Sequence, residues 1–166
     1  RGTRGMAEAW NENCDSKMFK ALFGSALSDK PAGAAGSFGY GKAGLVNGAT
    51  GKLVFAYSCF KESEDDDNVT RRAIAGCYWR PHTADGRQHD GWGRLGKLRR
   101  NGEGIEPLTD ADADRMAERL GISARTVGHP GFEGTGTVFV LIDPAITPKD
   151  VQLAAERNWW PALEND

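Results

Sequence analysis

A chain of 166 residues with 39% hydrophobic and 27% charged side chains is long enough for one domain with a genuine core. Its formal net charge of −2 excludes a global pull toward nucleic acid or an anionic membrane, no apolar run reaches bilayer length, and no signal peptide is visible. Cys14, Cys59 and Cys77 are odd in number and scattered without a C-x-x-C pair, so they read as reduced core thiols of a cytoplasmic protein.

The chain opens Arg1-Gly2-Thr3-Arg4-Gly5-Met6 with no initiator methionine, as if cut inside a motif, and a fragment or processed product is expected. Asp15 and Ser16 then offer N-cap oxygens to a short helix whose Met18, Phe19, Leu22 and Phe23 fall on one face. Ser28 to Ala35 is a loop by composition, broken by Pro31 and Gly33, and is a candidate lid. It leads into Gly36-Ser37-Phe38-Gly39-Tyr40-Gly41-Lys42, after which Ala43 to Ala49 suits a brief helix ended by Gly51.

Lys52 to Phe60 is rich in aromatic and β-branched residues and predicts a buried strand; Arg71 to Trp79 predicts a second one, making an antiparallel hairpin. The acidic run Glu62 to Asn68 between them has adjacent carboxylates rather than the alternating ones of a calcium loop, which makes it a solvated tip. Pro81 to Gly104 is polar and glycine-rich, with one short strand near Trp92 to Leu95, and Cys77, His82 and His89 fit no standard zinc spacing. A helix follows with Thr109 as N-cap, Asp110 and Asp112 in the first turn, Met116 and Leu120 facing inward, and Gly121 closing it.

Gly134-Thr135-Gly136-Thr137 runs straight into Val138 to Ile142, which is apolar on both faces and predicts a strand in the middle of a covered sheet. The closing helix has Thr147 as N-cap, Pro148 at its first position and Asp150 completing a capping box, and it is expected to stop at Pro161.

The chemistry concentrates at Gly36, Gly39 and Gly41. Bare glycines turn successive N–H groups toward one point, and a helix beginning at Lys42 adds positive charge there, which suits a polyphosphate. The stretch also spells seven positions of a P-loop. Ala43 stands where that motif needs a magnesium-binding hydroxyl, and the loop before it cannot be the strand a P-loop follows.

Three glycine boxes in order, Gly2-Thr3-Arg4-Gly5, Gly36-x-x-Gly39-x-Gly41 and Gly136-Thr137, resemble the GHKL ATPase superfamily of DNA gyrase, the large heat-shock chaperone, sensor histidine kinases, MutL and the MORC proteins. The first box lacks only its leading aspartate, and Lys42 matches the lysine found there in MORC-like members. The resemblance implies a single α+β domain over residues 1–166: a two-layer sandwich of a mixed, largely antiparallel sheet with helices on one face and ATP between the layers. It implies that Gly2, Thr3 and Gly5 approach the base and that Thr137, or Thr135, binds it through water. The amides of Gly36, Ser37, Phe38, Gly39, Tyr40 and Gly41 would then cradle the phosphates, with Lys42 neutralising the terminal one. The family's catalytic glutamate and the asparagine that holds Mg2+ precede the first box and are expected outside this sequence. An ATP-gated module closing its lid on a protein partner or second subunit is the other function expected.

Overall fold

The computed structural model describes residues 5–7, 10, 16–24, 41–62, 69–122 and 134–163, with the backbone alone at 41–42 and 159–163. Gly2 and Thr3, the Ser28 to Ala35 segment, Gly36 to Tyr40 and the tip of the acidic run lie outside the described residues. In chain order the elements are α1 (Lys17–Leu22), α2 (Gly41–Gly48), β1 (Leu53–Phe60), β2 (Thr70–Tyr78), β3 (His82–Ala84), β4 (Arg87–His89), β5 (Trp92–Leu95), β6 (Lys97–Leu98), β7 (Ile105–Glu106), β8 (Leu108–Thr109), α3 (Asp110–Arg119), β9 (Gly136–Leu141) and α4 (Pro148–Leu163).

The protein is α+β, with a largely antiparallel sheet packed against a few helices. β1 and β2 form the expected hairpin, in register from Leu53 opposite Cys77 to Phe60 opposite Thr70. The sheet runs β5-β2-β1-β9, and β8 shares the outer edge of β2 with β5. Every strand pairing among the described residues is antiparallel.

β9 departs from expectation. Among the described residues it pairs with β1 alone and ends the strand order rather than lying in its middle. Its two-sided apolar sequence has another cause: Phe139 packs into the cluster on one face of the sheet while Val140 packs into the cluster on the other. A strand flanked by cores on both sides needs apolar residues on both, whatever its place in the order.

Helices cover both faces of the sheet, not one. On the first face α1 sets Met18, Phe19, Leu22 and Phe23 against Val54, Ala56 and Ile74. On the second, α3 sets Ala113 and Ala117 against Phe55, Tyr57, Cys59, Ala73 and Ala75. Because β1 and β2 are apolar on alternate residues of both faces, a single helical layer would leave Phe55 and Tyr57 in water, a loss of about 1.5–3 kcal/mol for each large side chain.

Local signals set the helix ends. Ser16 caps α1 through a 3.4 Å bond from the Phe19 N–H. α3 begins after Thr109, whose side chain makes no cap bond, and ends at Gly121, with φ +74. Its inward residues are Ala113 and Ala117, while the expected pair Met116 and Leu120 are 36% and 37% exposed. Small residues let the helix approach closely enough for the aromatic rings of β1 to fill the gap. α4 starts with the predicted capping box: Asp150 N–H donates to Thr147 Oγ1 at 3.2 Å, and Thr147 N–H to Asp150 Oδ2 at 2.8 Å. It runs past Pro161 to Leu163. Proline removes one backbone donor there, and with so little helix beyond it the loss is confined to the final turn.

Candidate nucleotide site

Sequence-distant residues converge at one end of the first face. Ser58 of β1 lies opposite Thr137 of β9, and their hydroxyls are 2.9 Å apart, either able to donate. The backbone N–H of Met6 donates to Ser58 Oγ at 2.9 Å. One hydroxyl thus joins the segment carrying Gly5 to the strand carrying Thr137, across 52 and 79 residues of chain.

The glycines explain how these segments get there. Gly5 has φ +75, and a Cβ on it would stand 2.1 Å from the Cys59 carbonyl oxygen, so only glycine fits. The close approach that Gly5 permits is to the backbone of the sheet. Gly134 and Gly136, at φ +72 and +135, bend the chain into β9 and leave Thr135 buried just before Thr137.

Arg72 was not among the residues the sequence singled out. It is opposite Ser58 in the β1–β2 register, so Arg72, Ser58 and Thr137 form a row across three adjacent strands. It is 9% exposed, and its guanidinium lies 4.8 Å from the centre of the Phe60 ring. The signal was present in strand alternation: of Arg71 and Arg72, one must face each side of the sheet.

α2 lies over this same face. Leu45 and Val46 pack into the cluster that includes Phe139, two residues along β9 from Thr137. Its C-terminal end is fixed by Ala145 N–H donating to Gly48 O at 2.7 Å and by the bridge between Ala49 and Pro144. The backbone of Gly41 and Lys42 forms the first turn of this helix. A Cβ at Gly48 would stand 2.8 Å from Leu141 Cδ2, which makes the contact of α2 with β9 a tight one.

No protein-family model, curated protein or solved structure matches the chain.

The opposite face holds a polar link of a different kind. Tyr57 donates to Asp114 Oδ1 at 2.6 Å, and Arg71 Nε lies 3.3 Å from Asp114 Oδ2. Burial first, then the bond to Asp114, raises the Tyr57 phenol far above its ordinary value. Both partners are engaged in tying α3 to β1 and β2, which is a structural role. The Cys77 thiol is also pushed up, by burial above all, and lies under Gly93, where an added Cβ would come within 2.4 Å of the sulfur.

Among the described residues no group of three or more His, Cys, Asp or Glu could hold a metal ion. A cavity of about 480 Å3 beside α3 is bounded by Phe55, Leu95, Leu108, Met116, Leu120 and Ile142 and is predominantly apolar. It lies on the face away from Thr137. No helix among the described residues is long and apolar enough to cross a membrane.

Proposed function

We propose that the chain binds ATP on the first face of the sheet, as the lid-and-sheet part of a GHKL-type ATPase with a Bergerat-like arrangement. The observation that carries this reading is the hydrogen-bonded link from Met6 through Ser58 to Thr137, because it joins the ends of two glycine boxes that the sequence keeps far apart. The placement of α2 on that same face supports it, since its first turn continues the second box.

In this reading adenine lies near Thr137 and Thr135, and the amides of Gly36 to Gly41 surround the phosphates with Lys42 at the terminal one. Arg72 joins the site as a cation held close to the base-proximal end. The metal in this reading is Mg2+ carried by ATP. Among the described residues no group of three or more His, Cys, Asp or Glu could hold it without the nucleotide.

The test is Thr137→Val in the protein expressed from its whole reading frame. The substitution keeps the strand and removes one hydroxyl; ATP affinity measured by calorimetry is expected to fall about tenfold, equivalent to about 1.4 kcal/mol. Unchanged affinity would remove Thr137 from the site. Lys42→Ala is expected to weaken ATP binding or turnover with little loss of stability.

A second reading is an ATP-gated interaction module in a protein that turns over little or no ATP. It is favoured by the apolar residues Ile146, Val151 and Leu153, all more than a third exposed around the start of α4. Phosphate release separates the two, since the module binds ATP stoichiometrically and the ATPase releases phosphate.

A further inference from the structure

The β3–β4 hairpin has a turn that fixes its register from within. Asp85 and Gly86 both take positive φ, +49 and +73, as a two-residue I′ hairpin loop requires. Ala84 therefore lies opposite Arg87, Thr83 opposite Gln88, and His82 opposite His89. Directly opposed residues of an antiparallel pair share a face. The two imidazoles do so, with ring centres 5.3 Å apart and planes 20° from parallel. Both rings are exposed, at the edge of a cavity of about 440 Å3.

His82 also has the outer contact that a metal-binding histidine uses. Its Nδ1 lies 3.0 Å from the carbonyl oxygen of Arg80. Donation to that carbonyl places the proton on Nδ1 and leaves the Nε2 lone pair directed away from the backbone. His89 faces it from the neighbouring strand. Bonds of about 2.0–2.1 Å to one ion require the two ring nitrogens to approach within about 4 Å of each other. His89 reaches that spacing by rotation about its own χ2, which an exposed side chain makes at little cost and which leaves the contact of His82 with Arg80 in place.

We propose that His82 and His89 form a two-histidine site for a divalent late transition-metal ion, with water in the remaining positions. Two imidazoles with open positions suit the tetragonal preference of Cu2+, and the order of affinities across the row puts Cu2+ ahead of Ni2+ and Zn2+. Cys77 takes no part, being buried in β2 against Gly93. The site lies on a two-stranded sheet separate from the one that carries Ser58 and Thr137.

The experiment is a titration of Cu2+ into the protein with excess glycine as a weak competitor, read by electron paramagnetic resonance. A single equivalent with coupling to two imidazole nitrogens is expected. His82→Ala and His89→Ala should each weaken binding by at least the roughly 10–100-fold that loss of an outer contact costs, and the double variant should abolish it. Gly86→Val leaves both histidines in place but strains the positive-φ turn, so it should also weaken binding. Thermal unfolding and circular dichroism of each variant confirm that the sheet remains folded. The proposal is overturned if the wild-type protein binds no Cu2+, if the double variant binds as well as the wild type, or if Gly86→Val leaves binding unaltered.

Discussion

The two faces of the sheet solve the same packing problem in opposite ways. On the first, large side chains belong to the helix and the sheet makes room: Phe23 sits over Gly76, where an added Cβ would stand 2.7 Å from the ring. On the second, the helix is trimmed to Ala113 and Ala117 and the sheet supplies Phe55 and Tyr57. Their polar elements differ as well. The α3 face ends in Tyr57, Asp114 and Arg71, closed on one another, whereas the α1 face ends in hydroxyls that tie separate chain segments together. The comparison teaches that the same sheet can be braced by a closed polar link on one side and leave its polar groups joining separate chain segments on the other.

The sharpest way to break this picture is Phe19→Ala. Phe19 is buried and touches Trp10 and Phe23 edge-on or tilted, with Arg94 over its ring, so its loss should cost about 3–5 kcal/mol in urea unfolding. A loss below about 1 kcal/mol would mean that the aromatic face is not close-packed. Ala117→Leu probes the other face by overfilling it. About 1–3 kcal/mol is expected, because Ala117 is fully buried in the cluster that holds Phe55 and Tyr57.

Tyr57→Phe should cost about 1–2 kcal/mol by leaving Asp114 without its phenol donor. It also carries a pH signature. Burial and the Asp114 bond raise the folded-state pKa, so the folded protein retains a proton that the unfolded chain releases above about pH 10. The stabilisation is fully present below that pH and declines as pH rises toward the folded value. Tyr78 adds to the same limb, pushed up to about 12, chiefly by burial, with its hydroxyl bonded to the Leu22 carbonyl. Chemical unfolding at successive alkaline pH values should therefore show a shallower decline for Tyr57→Phe than for the wild type.

The smallest effect is expected outside both faces, at α4. The Asp150 carboxyl is held below its usual range by the side-chain bond from Thr147 and then by the backbone bond from the same residue. A depressed folded pKa contributes above the unfolded value and is lost as pH falls through the folded one. Acidification should fray the start of α4, seen as a loss of amide protection at its first turn, and Asp150→Asn should remove that dependence. Neither should move the global unfolding midpoint appreciably.

How much of this was legible in the chain depends on the range of the signal. Ser16, the β1 and β2 runs and the Thr147 box act through neighbours in sequence, and each formed as expected. The sequence points Met116 and Leu120 inward on α3 because they are the more apolar residues, while the aromatic sheet opposite favours alanine. The β9 sequence predicts a place in the middle of the sheet because it reports burial on two faces but not the presence of a second neighbour. The β3–β4 hairpin had a readable turn in Asp85-Gly86, hidden inside a stretch polar enough to pass for loop. At the candidate site, Gly5 and Thr137 were recognised as motif residues, whereas Ser58 and Arg72 required the register. A serine inside an apolar strand shows its partner only when the strands are paired.

The most direct test of the central claim is an amide chemical-shift titration of the protein, expressed from its whole reading frame, with ATP. The account predicts that the amides of Met6, Ser58, Thr135 and Thr137 shift together along one saturable curve, and that Thr137→Val weakens that curve. Shifts confined to the α3 face, or no saturable response at those four amides, would contradict it.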